Sequence, residues 1–185
     1  MGKIIDRRFP NCKIKMNSYN PYINNGDFIM EKKPISRAGF DNLIKELKDL
    51  KEVQRPEILK TVQWARSLGD LSENADYSAA KEKQRQIDKR IQFIEGVIEN
   101  ATIIDVDSLS GNRVVFGARV TAEDEDGNVM QCRILSDIES DGRMVISCTS
   151  PVGRAMIGRC VGDTCIVKLP SGEKEYEILD VKFKD

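Results

Sequence analysis

Two runs of helical periodicity mirror each other about the boundary between Ser72 and Glu73, and this mirror constrains the fold more than any other feature of the chain. Residues equidistant from the boundary are repeatedly apolar or small: Leu47 with Ile98, Ile58 with Ile87, Ala65 with Ala80. Two amphipathic helices that fold back on each other put such a centre at the tip of a hairpin. The stretch Gly69-Asp70-Leu71-Ser72-Glu73-Asn74-Ala75-Asp76-Tyr77 is therefore read as a tip that carries two carboxylates, Asp70 and Glu73.

The outgoing run opens after Ser36, a good N-cap. Phe40, Leu43, Ile44, Leu47 and Leu50 recur at three and four, and the pattern resumes with Ile58, Val62, Ala65 and Leu68. Pro56 interrupts it, so the spacing predicts one kinked helix over about 37–68, with a break into two helices as the alternative. Gly69 is placed to end it. On the return, Ala80, Gln84, Ile87, Ile91, Ile94 and Ile98 form a heptad seam that runs to about Asn100. Helices of about 30 and 25 residues make a rod on the order of 40 Å long.

Beyond Asn100 the period shortens. Arg113 to Val120 reads as a strand with a bulge at Gly117, and Asp126-Gly127 as a hairpin turn into a strand from Val129 to Leu135. Further strands are expected over 143–149, 163–169 and 174–183. Ser150-Pro151 has the chemistry of an N-cap and first helical residue, and starts a short helix to about Ile157. The expected fold class is α+β: an N-terminal antiparallel coiled-coil hairpin and a C-terminal antiparallel sheet with one short helix. The expected domains are a disordered leader over 1–29, the coiled coil over 30–107 with its acidic tip at 69–77, and the sheet domain over 108–185.

Composition narrows the chemistry. The net charge of −1 offers no global field for nucleic acid. The chain has no histidine, which removes the usual general base and the commonest zinc ligand. Its five cysteines lack C-x-x-C spacing and read as buried reduced thiols of a cytoplasmic protein. No apolar run reaches the ~20 residues of a membrane span, and the charged N-terminus is not a signal peptide. Phosphate-binding glycine loops and nucleophile elbows are absent too.

Two readings of the tip stand side by side. Asp70 and Glu73 suit a helix N-terminus as simple electrostatic and capping groups. They also suit a hard cation such as magnesium, which takes one or two protein carboxylates and keeps several waters. Two exposed carboxylates are too few for a tight site of their own, and would serve by entering a partner's active site that already holds metal. Lys81, Lys83, Arg85, Lys89 and Arg90 likewise form either a solvated face or a nucleic-acid patch.

The tip, with Arg55-Pro56-Glu57-Ile58, Asn100-Ala101-Thr102-Ile103-Ile104-Asp105, Val115-Phe116-Gly117-Ala118 and Ser150-Pro151-Val152-Gly153-Arg154-Ala155, resembles the bacterial Gre transcript cleavage factors in the same order over about 33–183. Leu71 and Ala79-Ala80 with Glu82 resemble the GreA type and Gln86 to Arg90 the GreB type; the resemblance is nearer to GreA, because Glu82 and Gln84 dilute the basic patch. The resemblance implies an FKBP-like C-terminal domain that docks on bacterial RNA polymerase, here through Ser150, Pro151 and Arg154. It implies that the rod enters the secondary channel, with Asp70 and Glu73 helping to hold a second Mg2+ at the polymerase active site. Asn74 and Tyr77 would support the tip. Arg66, Lys81, Lys83 and Arg85 would contact the nascent RNA 3′ end. The implied protein is an accessory factor rather than an enzyme, acts as a monomer, and needs no membrane.

Two other readings compete: a channel binder that inhibits polymerase without stimulating cleavage, and a prolyl isomerase or chaperone built on the C-terminal fold alone.

Overall fold

A computed structural model describes residues 23–24, 27–28, 33–68, 75–170 and 172–184. The expected leader falls largely outside these residues; within it, β1 (Ile23–Asn24) and β2 (Asp27–Phe28) pair antiparallel. The chain divides into two units, Ala38–Ala101 and Met1–Arg37 with Thr102–Asp185.

The first unit is helical. α1 (Arg37–Asp49), a π turn (Leu50–Gln54) and α2 (Arg55–Ser67) follow one another without leaving helical geometry, since Asp49 and Arg55 on either side of the π turn are both right-handed helical. The expected single interrupted helix is what forms. The Arg55 N–H donates to the Leu50 carbonyl, five residues back instead of four. The widened turn ends just before Pro56, which has no N–H to give and whose ring would otherwise crowd the preceding turn. α3 (Ala75–Glu99) returns along α2.

Ala65 of α2 and Ala80, Ile87, Ile91 and Ile94 of α3 are buried, as are Leu43 and Leu50. Phe40, Leu47, Ile58, Val62, Gln84 and Ile98 are half-buried, and two expected members are exposed, Ile44 at 41% and Leu68 at 57%. Ile44 lies about 100° round the helix from buried Leu43, off the covered stripe, and Leu68 stands past the last turn of α2. Trp64, beside Ala65, is also 57% exposed. Ion pairs tie the π turn and the start of α2 to α3, with Lys51 Nζ 2.6 Å from Glu95 and Arg55 Nε 2.8 Å from Asp88.

The second unit contains a two-stranded sheet of β3 (Lys33–Ser36) and β4 (Ala101–Ile104), which the sequence reading missed. Buried Ser36 ties β3 down. Its backbone N–H donates to Glu139 Oε2 at 3.2 Å, and its hydroxyl donates to the other oxygen of the same carboxylate. Ser136 donates to Glu139 Oε2 at 2.6 Å.

The main sheet has the order β7-β6-β5-β9-β8, from β5 (Arg119–Asp124), β6 (Val129–Leu135), β7 (Val145–Ser147), β8 (Thr164–Leu169) and β9 (Gly172–Lys182). The hairpin at Asp126-Gly127 forms as expected. Asp124 closes it, accepting N–H groups from Asp126 at 3.1 Å and Asn128 at 2.9 Å. The expected strand from Arg113 begins only at Arg119. Val114 to Phe116 are buried but pair outside the ladder, with Val114 exchanging hydrogen bonds with Arg159 and Gly158 at 2.8 Å. Gly117 turns the chain at φ +89°, and a Cβ there would stand 2.4 Å from Val106 Cγ1, so it is a turn under close packing and not a bulge. The strand expected over 143–149 shrinks to β7, which runs parallel to β6; every other pair in this sheet is antiparallel.

α4 (Pro151–Met156) packs against β8 and lies beside β7, and buried Met156 joins Val114, Val120, Ile134, Val167 and Ile178 in the core.

Candidate functional site

The two carboxylates singled out by the sequence, Asp70 and Glu73, and the supporting Asn74 lie outside the described residues, as does Gly69. They belong to the connection between α2, which closes at Leu68 with its N–H on the Ala65 carbonyl, and α3, which opens at Ala75. Tyr77 stands half-buried in the first turn of α3.

The four basic residues expected to act together separate by helical geometry. Lys81 and Arg85 stand four residues apart on α3 and share a flank. Lys83 is two residues from each, about 160° round the helix, and belongs to the opposite flank. Arg66 is exposed in the last turn of α2. Lys81 Nζ donates to Gln84 at 3.1 Å, and Arg85 stands 3.5 Å from Glu82. Glu82 thus dilutes the patch at Arg85, whereas Lys81 meets only the neutral amide of Gln84.

The second region lies at the start of α4. Ser150 caps the helix as expected: its hydroxyl accepts the Gly153 N–H at 3.1 Å and donates to the Ser147 carbonyl at 2.7 Å. Pro151 and Arg154 are exposed. Gly153 is buried so tightly that a Cβ there would fall 2.1 Å from the Ser147 carbonyl oxygen.

Sequence reasoning missed Asp137 at this place. Its carboxylate accepts the hydroxyls of Ser147 and Thr149, the latter at 2.5 Å. Those hydrogen bonds hold it below the ordinary carboxylate range, with the Lys33 and Arg154 charges adding to them and partial burial opposing. No local pattern could have found it, because its partners are ten and twelve residues away.

Cys132, Cys148 and Cys165 are free and buried, and burial pushes the first two up to about 11. Cys160 is disulfide-bonded, against the expectation of reduced thiols throughout. Among the described residues no group of three or more His, Cys, Asp or Glu could hold a metal ion, and no helix is long and apolar enough to cross a membrane.

Both units have relatives. Residues 33–103 match the family described as transcription elongation factor, N-terminal (GreA/GreB), and residues 109–183 match transcription elongation factor, GreA/GreB, C-terminal. The transcription elongation factor GreA of Anaeromyxobacter sp. (strain K) is 50% identical over 156 residues, covering 83% of this chain and 94% of that protein. That of Helicobacter pylori (strain ATCC 700392 / 26695) is 42% identical over 158 residues, covering 84% and 96%. Among solved structures, GreA factor homolog 1 (Gfh1) of Thermus thermophilus is 27% identical with a TM-score of 0.40, over 82% of this chain and 99% of that one. With both family segments matched in order and across most of its length, this chain belongs to the GreA/GreB family of transcription elongation factors.

Proposed function

We propose that the protein binds bacterial RNA polymerase, reaches the active site through the secondary channel, and stimulates the polymerase's own cleavage of the nascent RNA 3′ end in backtracked complexes. The observation that carries this reading is the acidic pair Asp70 and Glu73 in the short connection between two long packed helices, in a chain of this family. A rod of this kind delivers its end into a narrow channel. Packed α3 alone spans about 37 Å at 1.5 Å per residue.

The donor set fits magnesium in kind and falls short in number. Carboxylate oxygens are hard ligands, but two of them leave most of the shell to others. The metal would be held jointly with polymerase, and when bound it would stabilise the attacking and leaving oxygens of an in-line phosphoryl displacement. The chain's own part is to present two negative charges, to exclude bulk water with the hairpin, and to steady the RNA end with Lys81 and Arg85. It contributes these groups in trans and has no reaction of its own. The RNA-facing flank is the one that carries Lys81 and Arg85, so Lys83 is left out of that role.

The test uses stalled, backtracked elongation complexes with 3′-labelled RNA and magnesium. The parent chain releases short labelled fragments. Asp70→Ala with Glu73→Ala still competes for polymerase but releases none. Intact cleavage by that double variant overturns the carboxylate mechanism. Inhibition of elongation by the parent without fragments overturns the cleavage role and leaves a channel binder.

A further inference from the structure

We propose that Trp64 and Leu68 form an apolar anchor on one flank of the helix pair, and that this anchor seats in an apolar recess of the polymerase's protein wall. The inference rests on the polymerase reading above and adds to it a protein contact on the flank turned away from RNA.

Both side chains are 57% exposed. They stand four residues apart at the end of α2, one above the other on a single face. Trp64 precedes buried Ala65 by one residue and Leu68 follows it by three, which sets them about 100° and 60° round the helix from Ala65 in the same direction. Arg66 is displaced the other way, as is Arg55 eleven residues earlier. Arg55 bonds Asp88 at 2.8 Å, and this marks the matching flank of α3 as the one that carries Lys81 and Arg85. The helix pair is therefore two-sided near its end. One flank holds the cations assigned to RNA, and the other holds an indole and an isobutyl group.

Among the described residues nothing covers this pair. Ala79, next to buried Ala80 on the same flank of α3, is exposed and has only a methyl group. Phe93 is exposed too, but Arg90 stands over its ring at 5.3 Å, and Trp64 has no such cation among the described residues. The backbone beneath the pair is fixed. The Ser67 hydroxyl donates to the Trp64 carbonyl at 2.7 Å, and the Leu68 N–H donates to the Ala65 carbonyl at 3.4 Å. A rigid aromatic on a closed turn loses little freedom when it is seated.

Area decides the occupant. The exposed parts of the two side chains offer on the order of 250 Å². A second copy seated on the same pair would bury about twice that, far below the roughly 1,200–2,000 Å² of a stable complex. The anchor suits a partner that grips the chain elsewhere as well, and polymerase is that partner in the reading above. Leu68 is also only two residues from Asp70, so a contact here would steady the connection that carries the acidic pair. Aromatic side chains that fill a pocket within a larger interface carry a disproportionate share of its affinity.

Trp64 is the only tryptophan of the chain, so 7-azatryptophan placed there can be excited apart from the tryptophans of polymerase. In the labelled full chain, bacterial core polymerase is expected to shift the emission to the blue and to reduce its quenching by acrylamide. Trp64→Ala is expected to raise the factor concentration that half-saturates RNA cleavage about ten- to thirtyfold, and Leu68→Ala about three- to tenfold. Trp64→Phe should recover part of the loss. The factors should be the same at low and high salt, because the contact is apolar, while the rate at saturation holds. Melting temperatures should stay at the parent value, since both side chains are exposed.

Emission and quenching that stay at their free values in a complex that forms overturn the anchor and leave the cleavage reading standing. Unchanged half-saturating concentrations in both alanine variants do the same. A loss that fades at high salt, or one that comes with a lowered melting temperature, overturns the apolar contact. An emission shift produced by single-stranded RNA alone assigns the face to a nucleobase and overturns the protein partner. A parent chain that fails to bind polymerase at all overturns the polymerase reading itself, and this anchor with it.

Discussion

Arg90 holds Glu46 with two hydrogen bonds, from Nε at 2.7 Å and Nη2 at 2.9 Å, across 44 residues of chain. The guanidinium also stands 5.3 Å from the centre of the Phe93 ring. This fork joins α1 to α3 on the far side of the π turn from Arg55 and Asp88, so the irregular turn is clamped on both sides.

The pair is partly exposed, so its worth is modest. A double-mutant cycle with Glu46→Gln and Arg90→Gln, read by urea unfolding at pH 7, should return a coupling of about 0.5–1 kcal/mol. The pH dependence has a fixed sign. The Arg90 hydrogen bonds hold the Glu46 carboxyl below its ordinary value, with burial opposing and the Arg90 charge assisting. A depressed carboxyl stabilises the fold above its unfolded value of about 4.3 and loses that stabilisation as pH falls through its folded value. The coupling should therefore fade on acidification and be lost once pH has fallen through the lowered value of the folded Glu46 carboxyl. A coupling that persists there would show that the contact is apolar, through Phe93.

Glycine substitutions should separate two kinds of site. Gly153→Ala drives a methyl group to 2.1 Å from the Ser147 carbonyl oxygen, and backbone on both sides cannot yield cheaply. A loss of about 2–4 kcal/mol is expected in chemical unfolding. Gly96→Ala in α3 meets nothing within 4 Å and should stabilise by about 0.5–1 kcal/mol through helix propensity.

The basic residues of α3 should not be equivalent in RNA cleavage. Lys81→Ala and Arg85→Ala, on one flank, should each lower stimulated cleavage about three- to tenfold, whereas Lys83→Ala, on the opposite flank, should change it less than twofold. Equal losses from all three would mean that a diffuse positive potential acts rather than a face.

Thiol chemistry should report the core. Cys132, Cys148 and Cys165 are 2% exposed or less, and burial raises each thiol above its ordinary value. The native protein at pH 8 should leave all three unlabelled by iodoacetamide, and denaturant should expose them together, as read by peptide mass spectrometry. Labelling of Cys165 alone before global unfolding would mark β8 as a strand that opens locally.

Much of this architecture is written in short-range chemistry. The heptad spacing from Ala80 to Ile94, the Asp126-Gly127 turn and the Ser150-Pro151 cap each depend on residues within a few positions of one another. Helical periodicity and cap geometry express themselves without help from the rest of the chain. The same locality makes Asp70 and Glu73 legible as a pair between two helices.

What the sequence could not decide depends on contacts between distant residues. β3 finds β4 more than sixty positions away, and Ser36 finds Glu139 at a separation of 103. β7 joins its sheet parallel because the loop before it brings the chain back to run the same way as β6. Gly117 turns out of the expected strand because Val106 occupies the space its side chain would need. Asp137 acquires its character from Ser147 and Thr149, which only the docking of β7 and the turn before α4 brings to it. Local propensity is set by dihedral sterics and nearest neighbours. Register, close packing and the electrostatic setting of a carboxylate arise only when segments far apart in sequence share one core.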